Sequence, residues 1–278
     1  NVNKQSAHIL DEIRKAFTEG DQVKAERLTR QNFNSEVPYE GSREKPFRFG
    51  SFTTMGEFYV ETGLNIIGMS DYKRILSLDS AMAVVQFKKD DVAYQRNYFI
   101  SYPANVLVMR FSADRPGKQN LIFSYAPNPV STGSMVAQGD NGLVYSAALD
   151  NNGMKYVVRI QAETKGGTLV NRNGKLTVKG ADEVVFYVTA DTDYKANFAP
   201  DFKNPKTYVG VNPVETTGQW LANAVAKGYS ALLNEHYQDY AALFNRVKLN
   251  LNPTVKTGNL PTGQRLKNYR KGQPDYYL

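Results

Sequence analysis

The 278-residue chain contains no cysteine. Disulfide staples, thiolate metal sites and a Cys nucleophile are excluded, although this absence assigns no compartment. No apolar run approaches the roughly 18 residues that a bilayer-spanning helix needs. Histidine is scarce: His8 and His236 are the only two. No pair of ligands stands at metal spacing, so a transition-metal site is not expected. A lone histidine on a helix reads as a hydrogen-bonded packing residue rather than an acid or base. Lys and Arg number 34 against 27 Asp and Glu, giving a net charge of +7, but no basic block exceeds two or three residues. A nucleic-acid surface concentrates its cations on one element, so nucleic acid is not an expected partner. Gly166-Gly167 has no helix after it and cannot form a phosphate loop.

What the chain does have is aromatic and apolar content: 41% hydrophobic, with 18 Tyr and 14 Phe. That suits wide, half-buried sheets. The stretch from Gly56 to Gly117 holds short segments rich in Val, Ile, Phe and Tyr, separated by polar turns. In Ala81–Phe87, Ala81, Ala83, Val85 and Phe87 share one face. After the turn KKDD, Val92, Tyr94, Tyr98, Ile100 and Tyr102 form one row; Gln95, Asn97 and Ser101 form the other, with Arg96 and Phe99 interrupting. Pro103 breaks that strand. Asn151-Asn152-Gly153 and Asn173-Gly174 are hairpin signals. Tyr156, Val158, Ile160 and Ala162 alternate with Lys155, Arg159 and Gln161. On the order of ten or more strands between residues 50 and 190 predict a large antiparallel β-sandwich, a supersandwich spanning 36–195.

Helical patterns flank the sheet region. Ser6 is placed to cap a helix running to Glu19, with Ile9, Ile13 and Phe17 on one face. Gly20 ends it and Asp21 starts a second, giving a helical hairpin over 1–35 laid on the sandwich. Residues 34–46 read as a polar connection and 249–260 as an extended linker. After an irregular stretch, Thr217 is placed to cap a helix through GQWLANAVAKGYSALLNEHYQDYAALFNRV, with Gly228 as a bend or break. Unbroken, it would be about 45 Å long, which suits a strut between domains better than a cap on one. The whole of 196–278 thus reads as an irregular connection and helical linker. Its last helix starts at Pro261 and Thr262.

Four segments, GEFYVE, DYKRILSLDSAMAVVQF, VAYQRNYFISYPANVLVMRFSADRPG and GKLTVKGADEVVFYVTA, resemble the N-terminal domain of glycoside hydrolase family 95. KGYSALLNEHYQDYAALFNRVKLNL followed by LPTGQRLKNYRKG is similar to that family's helical linker and its entry into the catalytic barrel. The resemblance implies an α-L-fucosidase-like parent, with α-L-galactosidic bonds as the alternative substrate, bacterial and exported, inverting and without cofactor. It further implies a (α/α)6 barrel on the same polypeptide as partner, and fucosylated glycans as the parent's substrates. The family's general acid Glu and water-activating Asn and Asp lie on that barrel. No position here matches their motifs, so the resemblance assigns no catalytic residue. The chain's abrupt ends, without an initiating Met, are expected to be those of an excised piece. A stand-alone carbohydrate-binding sandwich is the alternative, and a purely structural sandwich a third.

The carbohydrate-contact candidates are Trp220 and Tyr98. An indole or phenol can stack on a sugar ring, but each has a plainer reading. Trp220 stands at a helix start among Leu221 and Ala224, as a packing anchor would. Tyr98 belongs to a Tyr94/Tyr98/Tyr102 row that sheet packing explains equally well. A helix that leans on a partner should also leave an exposed apolar strip over 218–247.

Overall fold

The computed structural model describes residues 4–33, 53–150, 152–201, 204, 206–248, 260–273 and 275. The whole polar connection at 34–46 and nearly all of the extended linker at 249–260 lie outside these residues. A 3₁₀ turn at Lys4–Ile9 leads into α1 (Leu10–Thr18), and α2 follows at Gln22–Phe33. Ser6 therefore lies within the 3₁₀ turn instead of capping an α-helix, and it is buried. Gly20 takes φ +77° at the corner, a conformation that costs a glycine little. Asp21 Oδ1 then accepts the Lys24 N–H at 2.9 Å, starting α2. Ile13, Ala16 and Ala25 are the hairpin's buried apolar residues.

Twelve strands follow among the described residues: β1 (Gly56–Glu61), β2 (Ser70–Ser77), β3 (Met82–Lys89), β4 (Val92–Ser101), β5 (Val106–Ala113), β6 (Gln119–Pro127), β7 (Ser131–Gln138), β8 (Gly142–Leu149), β9 (Lys155–Lys165), β10 (Thr168–Arg172), β11 (Lys175–Ala181) and β12 (Glu183–Thr192). They form two antiparallel sheets. The smaller has the order β1-β6-β11-β10, the larger β2-β3-β4-β5-β12-β9-β8-β7. This is the mainly β sandwich that the strand spacing predicts. Two hairpins show how turn chemistry fixes register. Asp90 and Asp91 both take positive φ between paired Lys89 and Val92, as do Asn173 and Gly174 between paired Arg172 and Lys175. Two-residue loops of that hand match the twist of the flanking strands.

Between the sheets lies one apolar core. Phe123 of the small sheet stacks on Phe186 of the large one at 4.5 Å, and Phe111 meets Phe186 edge-on at 5.9 Å. Leu143, Ile160, Leu176 and Val184 fill the space around them. Each such side chain contributes on the order of 1.5–3 kcal/mol when fully buried.

The large sheet has a second covered face. Helix α3 (Pro213–Phe244) lies across it, and Leu221, Ala224 and Leu232 pack on Phe99, Val106, Val108, Val185 and Tyr187. The helix expected to suit a strut better than a cap does cover the sandwich: α3 is a third layer on the large sheet. Its cap also differs. Asn212 Oδ1 accepts the Val214 N–H at 3.2 Å and Pro213 takes the first helical position, so the helix begins before Thr217. Thr217 is buried inside the first turns, where its Oγ1 donates to Pro213 O at 2.7 Å. At Gly228, φ 73° and ψ 169° break α3 into two pieces. Helix α4 (Thr262–Arg270) starts after Pro261, as the sequence suggests.

This placement makes Leu232 a core residue. Leu232→Ala should cost about 2–5 kcal/mol in urea unfolding, as for other buried leucines. A change within about 0.5 kcal/mol would mean that α3 does not pack on the sheet.

Candidate functional site

Because directly paired residues of a sheet share a face, the register sorts β4 into two sets. Asn97, Phe99 and Ser101 are buried on the α3 side, whereas Tyr98 faces the inter-sheet side. The row that looks polar in sequence is thus the buried one, since α3 covers it. Asn97 there contacts Met82 Sδ at 3.7 Å, and the Ser101 hydroxyl accepts the Ala104 N–H at 3.3 Å.

The Tyr94/Tyr98/Tyr102 row divides three ways. Tyr94 stacks on Phe87 at 5.1 Å, and Tyr98 meets Phe111 edge-on at 6.0 Å. Burial raises the Tyr98 hydroxyl pKa, partly offset by Arg96. Tyr102 lies beyond the strand end and is 79% exposed. Tyr98 is therefore half-buried packing at the edge of the inter-sheet core, not the centre of a tyrosine platform.

Trp220 is half-buried on α3 and lines a groove of about 490 Å³ with Met55, Phe58, Ile100, Tyr102 and Tyr125. Tyr98 lines a second groove, of about 430 Å³, with Leu76, His236 and Tyr240. The two grooves share Ile100, Tyr102 and Leu107, so the two sequence candidates border one continuous apolar surface. Ile100 there is 68% exposed. Alternation in β4 points to Tyr98 and Tyr102; the exposure of Ile100 and Leu76 depends on where the small sheet ends, which no local pattern encodes. The expected strip on α3 is confined to its C-terminal half, where Tyr237, Leu243 and Phe244 are exposed and Tyr240 stacks on Phe244 at 5.2 Å. His236 is buried. Its Nε2 lies 3.0 and 3.2 Å from the carbonyl oxygens of Ser80 and Ala81, and its ring rests 5.0 Å from Phe99. His8 is exposed on the hairpin.

A third cavity, about 690 Å³, opens beside the break in α3. Glu183 there receives Arg110 and, at 3.1 Å, Lys165. The Arg110 guanidinium lies 4.9 Å over the Tyr229 ring. Tyr187 donates to Glu163 at 2.8 Å, and burial is the main reason its hydroxyl pKa is raised. Burial pushes the Glu183 carboxyl up, but the hydrogen bonds and charges of Arg110 and Lys165 outweigh it and hold it below the ordinary glutamate value. A carboxylate so held is an ion-pair member, unlike the raised acid that protonates a leaving group. No local pattern signals this network, whose members come from β5, β9, β12 and α3.

Residues 1–197 match the profile described as glycosyl hydrolase family 65, N-terminal domain. The chain belongs to that family. Residues 228–278 match a second profile, the glycosyl hydrolase family 95 catalytic domain, so the family 95 resemblance of the sequence stands. That second match starts at the break in α3, ahead of residues 260–272, where the sequence resemblance places the entry into the barrel. Among curated relatives, the chain is 29% identical over 242 residues to "Probable alpha-fucosidase A" of Aspergillus niger, covering 83% of this chain and 29% of the relative. It is 24% identical over 234 residues to "Alpha-L-fucosidase 2" of Arabidopsis thaliana, covering 73% of this chain and 27% of that one. The chain thus spans under a third of the length of these relatives, which are fungal and plant proteins.

The depressed Glu183 pKa fixes a sign. A carboxylate stabilised in the folded state adds stability above its unfolded pKa and loses it as pH falls through the folded value. Glu183→Gln should destabilise at pH 7, by thermal melting, and the gap to wild type should close as pH falls below about 4.3, the ordinary glutamate value. A gap that widens in acid would refute the ion-pair reading.

Proposed function

We propose that this chain is the non-catalytic front portion of an α-L-fucosidase-like glycoside hydrolase, and that it holds a catalytic barrel on the same polypeptide. The order of the two family matches carries the reading: an N-terminal-domain profile over 1–197, then the start of a catalytic-domain profile from 228. The fucosidic substrate comes from the names of the relatives. The apolar surface around Ile100, Tyr102 and Trp220 is the docking face for the barrel, since a broad exposed apolar patch marks a partner site. Inverting hydrolysis needs two carboxyl groups about 6.5–9.5 Å apart around a water. Each groove of this surface carries one carboxylate among the described residues, Asp191 or Asp239, rather than a pair, and on this proposal bond cleavage belongs to the barrel.

The alternative, a stand-alone glycan-binding module, draws on the same three aromatics: Trp220, Tyr102 and Tyr98. Assays on 2′-fucosyllactose separate the two. This chain alone should release no fucose and show no saturable binding, while the chain joined to its catalytic portion should release fucose. Proton NMR of the first product should then show the β anomer, and an α anomer would overturn inversion. Saturable binding by the isolated chain that Trp220→Ala and Tyr98→Ala both abolish would establish the binding module instead.

A further inference from the structure

At the opposite ends of β1, β4 and β6 from the Trp220 groove lies a cavity of about 440 Å³. The loop after β1 (Thr62, Gly63), the start of β4 (Tyr94, Arg96) and the residues 118–120 line it. Gln119 is only 6% exposed, and its Nε2 is buried without an acceptor among the described residues. Buried amides are almost always paired, so an orphan donor on a cavity wall marks the place of a missing acceptor.

The rest of the lining has the same polarity. The Arg96 guanidinium lies 5.1 Å from the Phe87 ring and 5.7 Å from the Phe111 ring and also meets the Tyr98 hydroxyl, with no carboxylate in ion-pair range among the described residues. Lys118 adds a second cation, likewise without an ion pair there. Asn120 spends its Oδ1 on the Gly180 N–H at 3.0 Å, which leaves its Nδ2 as a further donor. None of the lining residues is acidic. Asp90 and Asp114, whose charges reach Tyr94, do not line this cavity; Asp114 lines the neighbouring cleft and accepts the Ala93 N–H at 2.9 Å.

We propose that this cavity binds a carboxylate-bearing sugar, its carboxylate held by the Gln119 amide, Arg96 and Lys118 and its ring laid along Tyr94. An arginine fork and two further donors suit a planar carboxylate. A bare anion would leave most of the cavity empty, whereas its volume lies in the range that small-molecule sites occupy. The proposal is independent of the barrel-holding role, because no lining residue is shared with the apolar surface.

Isothermal titration of this chain with sodium glucuronate tests it, with acetate, inorganic phosphate and glucose as separate arms. Glucuronate should bind with a Kd on the order of 1 mM, tighter than acetate or phosphate, and glucose should not bind. Lys118→Ala, on an exposed residue, and Gln119→Leu should each weaken glucuronate at least about tenfold. Thermal unfolding of Gln119→Leu should not fall, since it removes an unpaired buried group. Absence of glucuronate binding, equal binding of glucose, tighter binding of phosphate or acetate, or undiminished binding by Gln119→Leu would each overturn the site.

Discussion

The large sheet is apolar on both of its faces, and that constraint decides the architecture. In β12, Val184 to Thr189 are buried in unbroken succession. Phe186 and Val188 point into the inter-sheet core, while Val185 and Tyr187 point the other way, toward α3. A half-exposed antiparallel strand alternates; one buried on both faces does not. Such a sheet needs two covers, and the four-stranded sheet supplies only one. The second comes from the chain after β12, in which α3 is the first helix. Gly228 makes the fit: a single residue at φ 73° redirects the helix between Ala224 and Leu232, both fully buried. No atom lies within 4 Å of where its Cβ would stand, so backbone conformation rather than space demands glycine.

Apolar contact alone would let α3 slide or roll on the sheet, because the hydrophobic effect has no direction. Hydrogen bonds at points along the helix remove that freedom. Near its start, Thr189 Oγ1 donates to Thr217 O at 3.0 Å, and Arg159 Nε and Nη2 donate to Thr217 Oγ1 at 3.1 Å and Val214 O at 3.0 Å. Arg159 makes these bonds to neutral acceptors, and burial lowers its pKa. In the second half, His236 performs the same duty against the turn between β2 and β3. At the break, Arg110 reaches Tyr229 from one side and Glu183 from the other. Each polar group has a partner, which is the condition under which burying it costs little.

Much of this is legible residue by residue, and the misses share one cause. The hairpin turns are readable because positive φ at Asp90-Asp91 and Asn173-Gly174 is a local requirement with a local signature. The alternation of β9 is readable because side chains of a strand point alternately to its two faces. Helical periodicity locates α3 but misjudges its role. It returns Leu221, Val225, Leu232, His236, Leu243 and Val247 to overlapping faces; Leu221, Leu232 and His236 are buried and Val225 partly so, whereas Leu243 and Val247 are exposed. The sign of a second cover is present in the uninterrupted run VVFYVT, but it acquires meaning only when the strand sits at the centre of a sheet. For the same reason Asn97 and Ser101 look like a solvent row. Residue type singles out Tyr98 and Trp220, and their shared surface arises from topology alone: β4 and α3 come together through pairings more than a hundred residues apart.

The two ends of β1, β4 and β6 show what the sandwich does with its unpaired margins. At one end, where β4 runs out past the edge of the small sheet, Ile100 and Tyr102 remain largely in water. Apolar area left in water forgoes about 25 cal/mol for each Å². At the other end, the margin is closed by Arg96, Lys118 and Gln119, groups that are costly to cover without an acceptor. An apolar body laid over that end would strand two cations and an amide, whereas one laid over the Ile100 end would strand no charge but Asp191 and Asp239. Desolvation is thus consistent with both proposals, the barrel docking at the first end and a ligand that brings its own negative charge at the second.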